Sequence, residues 1–260
     1  MLINNLHFGF IGGCINTQKE ISSKERYYHL FSNMLTQSEP GINIKISLGN
    51  YLSYDQVVSA SRQFIEHKQP DIIVLFIRPF PIFPLLKPVI KYDKENKQRA
   101  YCIHPEIIFR RLRWHEKISV YQEATGNRAQ NKKRFGLSDI NMLFGLSIGL
   151  QHWTDKYLNS RVQKIHSLCV ENKKQLIVIS PPRSSHSILS NFILRKTTYS
   201  LQNYCADHQI LFMNIFNMPI CNYANDLIHL NHSGHKKLAN DLFEFLMGSE
   251  ILENKKSSGR

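Results

Sequence analysis

Asp71-Ile-Ile-Val-Leu-Phe-Ile77 is a short run that stays apolar from its second residue to its last. An amphipathic helix or a half-exposed strand would mix apolar with polar residues, and this run does not. Continuous apolar character over so few residues is typical of a β-strand that is buried on both faces. Such strands occur in parallel sheets that helices cover on both sides. The run therefore predicts an α/β protein.

Four more β-like runs flank this one, and helical patterns separate them. The runs are short, rich in Ile, Val, Leu or Phe, and cover His7–Ile11, Asn43–Leu48, Gln175–Ser180 and Ile210–Phe216. The helical patterns cover Ser23–Leu35, Tyr54–His67, Ser190–His208 and Lys236–Leu246. Because strands that alternate with helices are joined by right-handed crossovers, we expect a three-layer α/β/α, flavodoxin-like fold with a five-stranded parallel sheet.

A segment at about residues 79–172 interrupts this alternation and is too long for a single crossover. Its prolines predict an extended start, and helical stretches are predicted at His104–His115 and Asp139–Val170. We interpret the segment as a helical insertion in one domain of residues 1–260, forming a cap over the active-site end of the sheet.

The insertion carries most of the net charge of the chain, which is +13. From Lys87 to Arg134 there are 13 Lys or Arg residues against five acids. A basic surface attracts anionic partners, such as a carrier-bound acyl group, coenzyme A, an acidic glycan, nucleic acid or a membrane surface, but it also keeps proteins soluble. No nucleic-acid recognition motif accompanies the charge, so nucleic acid is the less favoured partner.

The five cysteines form neither a Cys-x-x-Cys pair nor a ligand cluster, and we expect no metal and no cofactor. No segment is long and apolar enough to span a bilayer. Ile11-Gly-Gly-Cys14 faintly resembles a lipoprotein processing site, but residues 1–13 contain no Lys or Arg. We therefore expect the chain to begin with its first strand. We also expect a cytoplasmic protein whose cysteines are reduced.

Two stretches near opposite ends of the chain carry residues with catalytic potential. Near the start, Gly12-Gly-Cys14 follows the first strand, at the edge where a doubly wound sheet binds ligands. Near the end, Asp226-Leu-Ile-His229 places an acid and an imidazole three residues apart. A thiolate attacks a carbonyl, a neighbouring imidazole generates the thiolate, and a carboxylate orients that imidazole. Cys14, His229 and Asp226 thus form a candidate acyl-transfer triad.

Each of these residues also has an ordinary structural interpretation. Cysteines are most often small buried residues, and Asp226 fits a turn or a helix cap equally well. His229 lies close to His232 and His235 in the sequence, which suggests a cap or a metal site, although further ligands at suitable spacing are missing.

The combination of motifs resembles the SGNH (GDSL-type) hydrolases. Asp226-Leu-Ile-His229-Leu-Asn-His-Ser-Gly234 is similar to the last sequence block of that family, whose Asp and His belong to the catalytic triad. Ile11-Gly-Gly-Cys14 resembles the first block, Gly-Asp-Ser, with Cys14 on the nucleophilic serine. Ser47-Leu-Gly49-Asn50 resembles the second block, whose glycine N–H helps to form the oxyanion hole. The resemblance implies the SGNH fold for the chain outside the insertion.

The chain departs from the family pattern in three places. Gly13 stands where the family has Asp, Cys14 replaces the serine, and the third block, Gly-x-Asn-Asp, is absent after the third strand. Arg78 stands in that region, and its guanidinium has three possible roles. It could replace the asparagine as an oxyanion donor, anchor an anionic substrate, or form a merely structural ion pair. Asn16 and Asn50 are further candidates for substrate binding.

We therefore expect an acyl-group hydrolase or acyltransferase that acts on an ester or thioester through a thioester on Cys14. Its substrate would be a small-molecule or carrier-bound acyl group of anionic character. The altered blocks leave a second interpretation open, a catalytically inactive module of the same fold that binds an anionic glycan, carrier protein or nucleic acid.

Overall fold

The structure is a computed structural model that describes residues 4–18, 21–51, 54, 56–78, 88–92, 98–102, 143, 146–147, 149–183, 188–223, 229–249 and 251–252. Its strands are, in chain order, β1 (Asn4–Gly12), β2 (Ile42–Asn50), β3 (Ile72–Phe76), β4 (Pro88–Tyr92), β5 (Gln98–Cys102), β6 (Gln175–Ile179) and β7 (Leu211–Met213). Five of them form a parallel sheet in the order β2-β1-β3-β6-β7. The predicted fold class is confirmed.

Helices cover both faces of this sheet. They are α1 (Cys14–Thr17), α2 (Tyr27–Ser38), α3 (Val57–Lys68), α4 (Leu150–Glu171), α5 (Ile188–Asp207) and α6 (His232–Met247), with short 3₁₀ helices at Ser23–Glu25 and Ile220–Asn222. On one face α2 packs against α6, and on the other α4 packs against α3 and α5. Within the described ranges, none of these helices has the length and apolar character needed to cross a membrane.

Strand β3 divides its side chains between the two faces. Ile72, Val74 and Phe76 lie in the core beneath α2 and α6, whereas Ile73 and Leu75 lie in the core beneath α3, α4 and α5. All five are at most 3 % exposed. Burial of each such side chain contributes roughly 1.5–3 kcal/mol to folding, so the central strand must be apolar on both sides. This alternation explains the continuous apolar run in the sequence.

The described part of the inserted segment contains one long helix and two strands, and the cap itself stays a prediction. Helix α4, predicted within Asp139–Val170, lies on the sheet as the crossover between β3 and β6, since parallel neighbours need such a connection. Strands β4 and β5 form an antiparallel hairpin where only extended chain and helix were expected. The polar residues 93–97 between two short β-prone runs were the available signal. The predicted helix at His104–His115 lies outside the described residues, as does most of the basic stretch.

Candidate active site

The carboxyl end of β1 lies at the point where the strand order reverses. β2 pairs with one side of β1 and β3 with the other, and α1 begins directly after β1, at Cys14. Crevices at such switch points are the usual ligand sites of doubly wound sheets. The backbone of Cys14 therefore lies where the sequence predicts the nucleophile. The Cys14 thiol itself is outside the described part of the structure.

Arg78 approaches the residue that precedes Cys14. A Cβ atom added to Gly13 would lie 2.6 Å from Arg78 Nε, so only glycine permits this approach. The Arg78 Nη1 group donates to the Tyr51 carbonyl at 3.0 Å, and the Arg78 backbone N–H donates to the Tyr51 hydroxyl at 3.2 Å. The Tyr54 hydroxyl donates to the Arg78 carbonyl. These contacts hold the guanidinium beside the start of α1, and its five N–H donors allow it to serve more than one partner.

Asn16, a candidate for substrate binding, has a structural role instead. Its side chain is fully buried, and its amide nitrogen donates to Phe10 O at 3.2 Å and to Gly49 O at 3.3 Å. Its oxygen accepts from the Tyr27 hydroxyl at 2.7 Å. Both amide N–H groups are used, so Asn16 ties α1 to β1 and β2 and does not face a substrate.

Gly49 also differs from its expected role as an oxyanion donor. It lies within β2, and Tyr51, two residues later, donates its N–H to Gly12 O at 3.1 Å. Because residues two apart on a strand share their orientation, the Gly49 N–H also points toward β1. A Cβ on Gly49 would lie 2.8 Å from Phe64 Cδ2, so this glycine is required for helix packing. Asn50 is exposed at the end of β2, paired with Gly12, and is better placed to reach a ligand.

His229 lies in the connection between the 3₁₀ helix Ile220–Asn222 and α6, with its side chain half-buried. An isolated antiparallel bridge pairs Tyr223 with Leu230, so the residue after His229 is held against the end of the 3₁₀ helix. Asp226, the predicted third member of the triad, lies outside the described residues, and its role stays a prediction.

Asn231 fixes the start of α6 just after His229. Its side-chain oxygen caps the helix by accepting from the Gly234 N–H at 2.9 Å, and it also accepts from the Ser233 hydroxyl at 2.7 Å. Its amide nitrogen donates to Cys221 O at 2.7 Å and to Tyr223 O at 3.1 Å. One buried side chain therefore caps the helix and closes the connection that carries His229.

Sequence reasoning missed Gln18 and His235, which join the two ends of the chain. Gln18 follows α1, and its amide nitrogen donates to Leu230 O at 2.9 Å. Its amide oxygen lies 3.1 Å from His235 Nε2. The chain segment after Cys14 is thereby bonded to the residue after His229. Both residues stand among polar neighbours, so no local pattern in the sequence indicates this contact.

The other two histidines near His229 have separate partners. His232 Nδ1 lies 3.6 Å from Glu25 Oε1, with both side chains about half exposed. His235 is buried, and its burial, followed by the charge of Arg26, lowers its pKa to about 4. Among the described residues, no three His, Cys, Asp or Glu side chains form a group that could hold a metal ion.

The order of the five strands and the helices on both faces are those of the fold found in GDSL-type esterases, and solved structures agree. The structure is similar to the psychrotrophic esterase EstA from Pseudoalteromonas sp., with 9 % identity, 93 % of this chain and 96 % of that chain covered, and a TM-score of 0.53. It is also similar to a G-D-S-L lipolytic protein from Veillonella parvula, with 11 % identity, 94 % of this chain and 100 % of that chain covered, and a TM-score of 0.52.

A third similar structure is a catalytic mutant of Axe2, an acetylxylan esterase from Geobacillus stearothermophilus. The identity is 11 %, 94 % of this chain and 96 % of that chain are covered, and the TM-score is 0.53. The sequence matches no protein-family model and no curated protein. At such low identity these likenesses establish the fold alone.

Proposed function

We propose that this chain is an acyl-group hydrolase or acyltransferase that uses Cys14 as nucleophile, His229 as general base and acid, and Asp226 to orient the imidazole. One observation carries the proposal: Gln18, four residues after Cys14, donates a 2.9 Å hydrogen bond to Leu230, the residue after His229. This contact supports the proposal because it joins the segments of the proposed nucleophile and base near the switch point of the sheet.

The reaction follows from the chemistry of a thiol and an imidazole. The Cys14 proton moves to His229, the sulfur bonds to the carbonyl carbon, and the carbonyl electrons move to oxygen. Collapse of this intermediate breaks the bond to the leaving alcohol or thiol, which takes the proton from His229. Water or another acceptor then attacks the thioester, with His229 as base, and restores the thiol. A thiol nucleophile suits the reducing cytoplasm, where we propose that the protein works.

The negative oxygen of the intermediate needs donors, and the geometry of the strand ends favours two. The backbone N–H of Cys14 is one, because it follows β1 directly. Arg78 is the other, since its guanidinium lies beside Gly13 and takes the place of the missing asparagine. Loss of one such donor costs an enzyme about 3 kcal/mol of transition-state stabilisation. The positive charge also favours anionic acyl substrates, with Asn50 as an additional contact.

The first experiment tests for the acyl-enzyme. The protein is mixed with p-nitrophenyl acetate or an acyl thioester, and intact-mass and peptide analysis locate the adduct. We expect one acyl group on Cys14, and we expect Cys14→Ala to abolish it. Cys221→Ser is the matched control because Cys221 is a free and exposed thiol, so general thiol reactivity would appear there. An adduct that is absent, or that lies only on Cys221, contradicts the proposal.

The second candidate is a catalytically inactive module of the same fold. The charge of the insertion favours it, with 13 Lys or Arg against five acids between Lys87 and Arg134. Such a module would bind an anionic glycan, a carrier protein or, less favoured, nucleic acid, and its affinity would fall steeply with salt. Binding of heparin or acidic carrier protein that Cys14→Ala leaves unchanged, without acylation of the wild type, would favour this candidate.

A further inference from the structure

We infer that Gln18 and His235 are positioning residues that hold the His229 segment against α1 and set the geometry of the nucleophile and its base. The inference rests on the proposed function for its catalytic consequence. The structural coupling itself rests only on the contacts of Gln18 and His235.

The two side chains are enclosed by protein. Gln18 is 3 % exposed, and His235 is completely buried on the first turns of α6. The His235 ring is stacked with Tyr27 at 6.1 Å between ring centres, and its Nδ1 accepts the Tyr27 backbone N–H at 3.2 Å. The end of α1 and the start of α2 thus meet the start of α6, more than 200 residues later in the sequence, at one imidazole.

The protonation of this network can be assigned from its partners. A backbone N–H only donates, so His235 Nδ1 accepts and carries no proton. The proton is therefore on Nε2, which donates to the Gln18 amide oxygen at 3.1 Å. That contact leaves the Gln18 nitrogen to donate to Leu230 O at 2.9 Å. All the hydrogen bonds run in one direction, from Tyr27 through His235 and Gln18 to Leu230.

Further contacts continue the network to the other side of α1. The Arg26 Nη1 group donates to Asn16 O at 3.2 Å, and the Tyr27 hydroxyl donates to the Asn16 side chain at 2.7 Å. A fully satisfied buried polar network specifies one arrangement of the segments that it joins. Apolar side chains of similar volume would fill the same space without selecting one orientation of Leu230. We therefore assign the network to positioning and not to packing.

The assignment is tested with three variants. In His235→Asn the side-chain oxygen can replace Nδ1 and accept from Tyr27, but the link to Gln18 is lost. In His235→Gln the amide nitrogen can replace Nε2 and keep that link. Gln18→Met retains the volume and removes both hydrogen bonds. Each variant is compared with the wild type for kcat and KM on p-nitrophenyl acetate, for the melting temperature, and for amide hydrogen exchange at Leu230–Ser233.

We expect Gln18→Met and His235→Asn to lower kcat at least ~10-fold with little change in KM, because a misplaced base loses rate before affinity. We expect His235→Gln to retain most of the rate. Amide exchange at Leu230–Ser233 should accelerate in Gln18→Met and His235→Asn. In the same two variants, amide exchange in α2 should stay near the wild-type rate. Equal losses in both His235 variants that follow their melting temperatures would overturn the assignment.

The exchange measurement also separates this inference from the proposed function. If the wild type forms no acyl-enzyme, the proposed function fails, but faster exchange in Gln18→Met still supports the coupling of α1 to the His229 segment. Unchanged exchange in Gln18→Met contradicts the structural coupling whether or not the protein is an enzyme. In an active enzyme, a wild-type kcat in Gln18→Met contradicts the positioning role.

Discussion

At the scale of single residues, Arg78 lies so close to Gly13 that a side chain at this position would meet it. The Arg78 Nε and Cδ atoms would lie 2.6 and 2.8 Å from a Cβ at this glycine, well inside van der Waals contact. The family resemblance predicts an acid at Gly13, which this space would not admit without moving the arginine. Gly13 and Arg78 are therefore two parts of one arrangement.

This contact predicts the effect of Gly13→Ala. We expect kcat/KM to fall on the order of 10-fold or more, because the methyl group displaces the guanidinium from the site. Gly41→Ala is the matched control, since a Cβ there meets nothing within 4 Å. In a double-mutant cycle, Gly13→Ala should cost nothing further in an Arg78→Ala background, which removes the Arg78 atoms that the methyl group would meet. Additive losses in that cycle would show that the glycine acts independently of Arg78.

Asn16 shows that residue type alone does not determine the role of a side chain. An Asn two residues after the predicted nucleophile is a reasonable candidate for substrate binding, but its amide group bonds to Phe10, Gly49 and Tyr27 in the interior. The direction of a short side chain depends on the turn of the backbone that follows β1. No pattern of neighbouring residues determines that direction.

At the scale of elements, the first turn of α6 is packed directly on the preceding 3₁₀ helix. The sequence pattern placed this helix at Lys236–Leu246, yet it begins four residues earlier because Asn231 caps it. A Cβ added to Gly234 would lie 2.1 Å from the backbone oxygen of Asn222. The glycine lets the helix begin close to the connection that carries His229.

Gly234→Ala should therefore be strongly destabilising. Alanine favours a helix interior over glycine by about 1 kcal/mol, but here its methyl group meets backbone that cannot rotate away. We expect a net loss of about 1–3 kcal/mol in the free energy of unfolding, measured by urea denaturation. Gly248→Ala, at the other end of α6, has its nearest contact at 3.3 Å and should change stability by less than about 0.5 kcal/mol. Equal effects at the two glycines would contradict this account.

At the scale of the whole molecule, the buried histidine makes stability depend on pH. Burial, and then the charges of Arg26, His232 and His229, lowers the pKa of His235 to about 4, from an ordinary value of 6.5. Between these values the unfolded chain binds the proton and the folded protein does not. Stability that is fully present above pH 6.5 is therefore lost as the pH falls toward 4.

Between pH 7 and pH 4, His235 lowers the free energy of unfolding by about 3 kcal/mol. Urea unfolding at several pH values should show the decline in the wild type, with a shallower slope in His235→Asn. His7, His29 and His166 also have lowered pKa values, mainly through burial, and contribute equally to both proteins. Identical pH profiles for wild type and variant would show that His235 is not the group responsible.

The sequence alone was sufficient for the sheet, because the apolar character of β3 and the alternation of short strands with helices are local signals of two-sided burial. It also indicated which residues have catalytic potential, with the triad still a prediction. Only the tertiary structure decided that Arg78 lies against Gly13, that the Gly49 N–H points toward β1, and that Gln18 bonds to Leu230 and His235. The partners in that last contact are more than 200 residues apart, and their meeting depends on strand order and register, which no local pattern encodes.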